Sequence, residues 1–222
     1  MNPEKQYDLC IFDLDGTLTD PKVGITKSYQ YALAAFGIHK ETDDLVKYIG
    51  APLREMFTAD FGLSDADTEV AVAKYREYFA ETGLYENVVY PGIPEALQRL
   101  ADSGKTLAVA TNKVTSYAQI ILEHFGLDHF FAFVSGDEMD GSLSKNGKRD
   151  IIRIALEHFV ANGFTAPVMI GDRRHDITGA VDEGIDSIGI TWGYGDRAEL
   201  EEAGATTIVD STDALCQLIL SS

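Results

Sequence analysis

Short apolar runs alternate with amphipathic stretches along most of this chain, and the alternation fails in one place. Leu9-Cys10-Ile11-Phe12 is a continuous apolar run of strand length that stops abruptly at Asp13. From Tyr90 onward the rhythm is regular. The spacing predicts helices over residues 93–101, 117–125, 151–160, 177–183 and 213–220. It predicts strands over 106–110, 131–134, 167–170, 187–191 and 207–209. Between these regions Ile25, Tyr29, Ala32, Leu33 and Phe36 recur at helical spacing up to Gly37. Pro52 stands at a helix start, and Ser64 precedes another helical stretch that ends before Gly83. No β run interrupts residues 20–85.

Strands alternating with helices require a parallel sheet covered on both faces, so the fold class is α/β. The helical stretch directly after the first strand reads as an insertion. The expected organisation is a core of residues 1–19 and 88–222, with residues 20–87 as an inserted α-helical domain. A chain of 222 residues with 45% hydrophobic and 24% charged residues can bury such a core without disulfides or structural metal.

Charge narrows the partners. Thirty-six acidic residues against 18 basic ones give a formal net charge of −18. Such a surface repels a phosphate backbone, so neither nucleic acid nor an anionic membrane is expected as partner. An anionic substrate would need a bound cation or local Lys and Arg. Cys10 and Cys216 form no CxxC pair, which excludes a disulfide framework or a zinc site. No run approaches the roughly 18 apolar residues of a membrane span, and a cytoplasmic location is expected.

Ligands of open parallel sheets bind beyond the C-terminal ends of the strands. Four predicted strand ends carry polar clusters: Asp13-Leu14-Asp15-Gly16-Thr17, Thr111-Asn112-Lys113, Gly171-Asp172 followed by Asp176, and Trp192-Gly193-Tyr194-Gly195. Each alone is explained as a turn or a helix cap. Together they place three carboxylates at one sheet edge, and crowded carboxylates need a shared proton or a metal ion. Oxygen ligands without His or Cys suit Mg²⁺. A lysine and a threonine hydroxyl beside that ion would cradle a phosphoryl group. With phosphate charge cancelled, Asp13 becomes a nucleophile able to form an aspartyl-phosphate.

In order and placement, Asp13-Leu14-Asp15-Gly16-Thr17, Thr111, a lysine, and Gly171-Asp172 with Asp176 resemble the haloacid dehalogenase superfamily. The phosphoglycolate phosphatase-like and bacterial 5′-nucleotidase-like members are most similar, and the insertion resembles a C1-type helical cap. The resemblance implies a Rossmann-like core and an Mg²⁺-dependent phosphomonoester hydrolase acting on a small phosphorylated metabolite. It implies that Asp13 attacks phosphorus and binds metal, and that Asp15 serves as acid and base while its backbone carbonyl ligates the ion. Asp172 would be the remaining protein ligand, with Asp176 orienting a bound water or the lysine. Thr111, Asn112 through its N–H, and the lysine would hold the phosphoryl oxygens. Lys148 has the better register against the following helix, and Lys145 is the alternative, brought round by an Asn146-Gly147 turn.

Phosphotransfer of the β-phosphoglucomutase type shares these motifs. A phospho-Asp signalling module also carries an aspartate at a strand end, but is shorter and lacks the insertion. Arg54 in the insertion could reach a substrate anion. His175 is expected to face solvent, Arg173 and Arg174 to offset nearby acids, Trp192 and Tyr194 to pack, and Asp196 with Glu199 to cap a helix. No residue of the insertion names the leaving group, and both monomer and homodimer are open.

Overall fold

The computed structural model describes residues 6–51, 53–145 and 147–221. The helix start at Pro52 and the Asn146 half of the expected turn lie outside the described residues. Strand β1 (Leu9–Phe12) occupies the middle of a six-stranded sheet with β4 (Thr106–Val114), β5 (Phe133–Asp137), β6 (Pro167–Gly171), β7 (Asp186–Ile190) and β8 (Thr207–Val209). The order is β5-β4-β1-β6-β7-β8, every pair is parallel, and β1 lies in register with both neighbours, Leu9 facing Thr106 and Pro167.

Side chains of a strand alternate between faces, and β1 shows why its run is apolar throughout. Cys10 and Phe12 join one buried cluster, under α5 (Ile93–Asp102), α6 (Thr115–His124) and α10 (Thr212–Leu220). Leu9 and Ile11 join the other, under α7 (Arg149–His158) and α8 (Arg174–Asp182). Both faces are covered, so the polar groups of this sheet are confined to its edges.

The segment after β1 is helical, as its spacing predicts, but in shorter pieces. It holds α1 (Lys22–Ala34), α2 (Thr42–Leu45), α3 (Leu53–Ala59) and α4 (Asp65–Tyr78), the last running into a π-helical turn over Phe79–Gly83. Ser64 caps α4 by accepting the Asp67 N–H. Tyr29 organises the interior of this segment, its ring meeting those of Tyr48, Phe57 and Tyr75 with centroids 5.9, 5.8 and 4.9 Å away.

Five elements differ from expectation. Residues Thr19–Asp20 (β2) and Val88–Val89 (β3) pair antiparallel at the two ends of the helical segment that follows β1. Two-residue strands carry no readable periodicity, and this ribbon escaped the sequence. β4 runs through Thr111-Asn112-Lys113 to Val114 instead of ending at Ala110, its register to β5 shifting between Ala110 and Val114. β5 begins two residues late, because Asp128–Phe130 forms a 3₁₀ turn first. A helix over Arg197–Glu202 (α9) follows Asp196, whose carboxylate accepts the Glu199 N–H, so the expected capping chemistry marks a helix whose own apolar stripe is too short to see. Among the described residues no helix is long and apolar enough to cross a membrane.

Candidate active site

Strand order switches sides at β1, with β4 and β5 added on one side and β6 to β8 on the other, so the C-terminal end of β1 faces the crevice where such sheets bind ligands. Asp13 continues the sheet by one residue, donating its N–H to the Ile170 carbonyl at 2.9 Å. The backbone then folds tightly: the Leu14 carbonyl accepts N–H groups from Thr17, Leu18 and Thr19 at 3.2, 2.9 and 3.1 Å. Gly16 makes that turn possible twice over. Its φ of +89° is left-handed, and a Cβ there would stand 2.3 Å from Asp172 Oδ2.

This turn packs Asp13 against β6 and α8. One carboxylate oxygen each from Asp13, Asp172 and Asp176 lie within 4.8 Å of one another, and all three residues are buried. Lys148, at the N-terminus of α7 and 2% exposed, inserts its ammonium among them. Its Nζ is 2.6 Å from Asp13 Oδ1 and also donates to Asp176 Oδ1. Burial acts to lower the Lys148 pKa, but Asp13 and Asp176 prevail and raise it. Lys145 is exposed on the wall of a larger, adjoining cavity.

Asp172 is pushed up to about 8, first by burial and then by the Asp176 and Asp13 charges, while Thr17 Oγ1 and the Tyr194 N–H donate to its two oxygens at 3.2 and 2.8 Å. Asp176 is raised to about 6, again by burial, against the opposing pull of Lys148. One lysine does not neutralise three buried carboxylates, and the set is all oxygen, so a hard divalent cation fits this cluster. A consequence follows for the protein held in chelator. Between the ordinary Asp value of 3.8 and about 8, folded Asp172 holds a proton that the unfolded chain has released, so stability falls as pH rises through that window. Asp172→Asn should therefore raise the melting temperature in EDTA at pH 8 and leave it nearly unchanged near pH 4. Equal shifts at both pH values in thermal melts would contradict this assignment.

Asp15 has a different environment. Its Oδ2 pairs with Lys113 Nζ at 2.7 Å, and its buried Oδ1 has no hydrogen-bond partner among the described residues. Burial raises its pKa, with Lys113 opposing. Its carboxylate thus stands apart from the acidic cluster; the role expected of Asp15 in metal binding was its backbone carbonyl alone. Thr111 is buried and its Oγ1 accepts the Lys113 N–H at 3.2 Å. Asn112 donates Nδ2 to the Gly50 carbonyl at 3.3 Å, and its buried Oδ1 has no partner among the described residues. Asp13, Asp15, Thr111, Asn112, Lys113, Lys148, His175 and Asp176 line one small pocket.

Lys113 was missed as a site residue. Alternation placed it on the same strand face as Thr111, which was the available signal; its ion pair with Asp15 exists only in the fold. His175 does not face solvent. It is half-buried on the pocket wall, and burial lowers its pKa to about 4. Arg173 does more than offset acids: besides pairing with Glu199 at 2.9 Å, it donates Nη1 to the Ile49 carbonyl of the inserted segment at 2.7 Å. Trp192 packs and also donates Nε1 to the Thr17 carbonyl at 3.1 Å, while the Tyr194 hydroxyl donates to Asp20 in the ribbon.

Beyond Asp15 the pocket opens into a cavity of about 460 Å³ between the inserted helices and the core, lined by Tyr29, Tyr48, Tyr75, Phe79 and Tyr117 among others. Arg54 is on its wall with its fork engaged, Nε and Nη2 donating to Glu69 at 2.8 and 3.1 Å and Nη1 to the Asp140 carbonyl at 2.9 Å. Lys113 joins the two parts of the molecule, its Nζ 4.3 Å from the Phe79 ring centroid.

Residues 10–190, which include all of these groups except the Trp192–Tyr194 loop and Glu199, match the family model described as haloacid dehalogenase-like hydrolase. The chain belongs to that family. A 5′-nucleotidase of Pseudomonas aeruginosa is 42% identical over 219 residues, 97% of each chain. Tyrosine-protein kinase PtkA of Mycobacterium tuberculosis is 38% identical over 221 residues, 98% of this chain and 73% of that one. A crystal structure of a predicted phosphatase from Clostridium acetobutylicum superimposes with a TM-score of 0.91 at 42% identity, covering 97% of this chain and 99% of the other. The parallel sheet is thus the Rossmann-like core of a haloacid dehalogenase-like hydrolase.

Proposed function

We propose that this hydrolase removes phosphate from a small phosphorylated metabolite by way of a phosphorylated Asp13, and that residues 20–87 form a cap over the reaction. The observation that carries this reading is the contrast between the two adjacent carboxylates. Asp13 faces the Lys148 ammonium, whereas burial raises Asp15 and leaves one of its oxygens unpartnered. Two carboxyls in unlike environments can divide the roles of nucleophile and acid.

In the first step an Asp13 oxygen bonds to phosphorus as the bond to the leaving oxygen breaks, and Asp15 gives that oxygen its proton. In the second, Asp15 takes a proton from water, the water oxygen bonds to phosphorus, and the Asp13–phosphorus bond breaks to release orthophosphate. Lys148 and the Thr111 hydroxyl, with the N–H groups of Leu14 and Asn112, bind the transferring oxygens. Asp13, Asp172 and the Asp15 carbonyl would hold Mg²⁺, with Asp176 behind them; the ion supplies charge neutralisation of the phosphoryl group. Arg54, fixed by Glu69, borders the leaving-group cavity. Both cysteines are free and buried, which fits a reducing, cytoplasmic setting, as monomer or homodimer.

Phosphate release from phosphoglycolate, a nucleoside 5′-monophosphate, a hexose 1-phosphate and an aryl phosphate tests this directly. Turnover with Mg²⁺ and its loss in EDTA are expected, and full activity in excess EDTA would overturn the reading. The 38% identity to a protein named as a kinase favours one second reading, transfer of the Asp13 phosphoryl group to a hydroxyl acceptor instead of water. Label appearing in an added tyrosine peptide or an isomerised hexose phosphate, and not in orthophosphate, would establish it. Arg54→Ala should change the ratios of kcat/KM across the panel; constant ratios would make it a strut alone.

A further inference from the structure

The cations of the site are nearly all spent. Lys148 is paired with Asp13 and Asp176, Lys113 with Asp15, Arg54 with Glu69, and Arg173 with Glu199. Arg76 is the exception among the cavity's arginines. It lies half-buried on the cavity wall, and among the described residues it makes no hydrogen bond or ion pair. The acids that bear on it electrostatically are committed elsewhere. Glu69 holds Arg54 in a two-pronged pair, and Asp137 accepts from the Glu138 and Leu143 N–H groups and the Ser144 hydroxyl.

A half-buried guanidinium without a direct ion pair among the described residues, in a protein of net charge −18, requires an explanation. Compensation of the helix dipole does not provide one. Arg76 is in the last turn of α4, but the backbone continues helically through Phe79–Gly83, so the free carbonyls lie further on. Burial and the neighbouring Arg54 charge lower its pKa and outweigh the opposing pull of Tyr117, Glu69 and Asp137, none of which pairs with it directly. The neighbours of Arg76 on its own helix and the following turn are Tyr75 and Phe79, whose stacked rings, with Tyr117, help to line the same cavity. The space of about 460 Å³ holds a ring-sized body, far more than a two-carbon fragment.

Building on the phosphohydrolase reading, we propose that Arg76 is a specificity-determining residue that binds a second anionic group on the leaving portion of the substrate. The preferred substrates are then phosphomonoesters with a ring-sized leaving group bearing a carboxylate or a second phosphate. The scissile phosphoryl group goes to Asp13, the ring lies against the tyrosines, and the distal anion meets the fork of Arg76.

The test uses matched pairs: 4-carboxyphenyl phosphate against its neutral 4-carbamoyl analogue, and a nucleoside 3′,5′-bisphosphate against the 5′-monophosphate. In Arg76→Met, kcat/KM for the anionic member should fall about 10- to 100-fold further than for its neutral partner, the scale of one lost charge-assisted hydrogen bond. Arg76→Lys should recover part of the preference. A fall in the carboxylate pair alone identifies a carboxylate substrate, and in the bisphosphate pair alone a second phosphate. Calorimetric affinities on the inactive Asp13→Asn background read the same contact without turnover. Absence of phosphate release by the wild-type protein would therefore sink the hydrolase reading while the role of Arg76 is still measured. Equal losses for both members of each pair, or a preference that moves with Lys145→Met and not with Arg76→Met, would overturn the assignment.

Discussion

Asp13→Asn abolishes turnover, and Asp15→Asn cripples it in a different way. Removing a covalent nucleophile costs on the order of 10⁴–10⁶-fold in kcat, and no other buried carboxylate replaces Asp13, since Asp172 is held by Thr17 and Tyr194 and Asp176 by Lys148. Loss of a general acid and base costs about 10²–10⁴-fold. Asp15→Asn retains the nucleophile, so with an activated aryl phosphate, which needs little help from an acid, it should still be phosphorylated at Asp13. It should then stall, because its amide cannot take the proton from water. Intact-protein mass spectrometry after an acid quench separates the variants: a phosphorylated species accumulates in Asp15→Asn and never in Asp13→Asn. Appreciable turnover by Asp13→Asn would end the proposed mechanism.

Lys148→Met should damage stability and activity together. The ammonium is 2% exposed and sits between two carboxylates, so its removal leaves buried negative charge uncompensated. Breaking a buried pair from one side costs about 3–5 kcal/mol, which for a chain of this size corresponds to roughly 6–20 °C in melting temperature. Loss of a phosphoryl-binding donor adds about 10²–10³-fold in kcat. The double variant Lys148→Met/Asp176→Asn separates the two effects. It removes one of the stranded charges, so much of the stability should return while activity stays low. Lys145→Met, an exposed position, should stay within about 0.5 kcal/mol of wild type. If activity returns with stability in the double variant, Lys148 is a structural counter-ion and does not bind substrate.

The legibility of this protein divides along physical lines. Strand β1 could be read because a central parallel strand is apolar on both faces, and its abrupt stop at Asp13 reported the sheet edge where polar groups must cluster. Asp13, Asp15 and Asp172 are visible for the same reason: local sequence sets which residues follow a strand, and the chain order of three such strand ends with a lysine carries the family resemblance. Helix-start register favours Lys148 over Lys145, whereas its burial between Asp13 and Asp176 is a fact of the fold alone.

What sequence could not reach was the partnership between distant elements. The β2–β3 ribbon depends on two residues meeting two others 68 and 70 positions away. The pairing of Lys113 with Asp15 needs a register shift late in β4 that no periodicity records. Arg54 and Arg76 are both basic residues on amphipathic helices and are indistinguishable as letters. Only the packed structure gives one of them Glu69 and leaves the other on the cavity wall with no direct ion pair among the described residues, because ion pairing is decided by which side chains the tertiary contacts bring within reach.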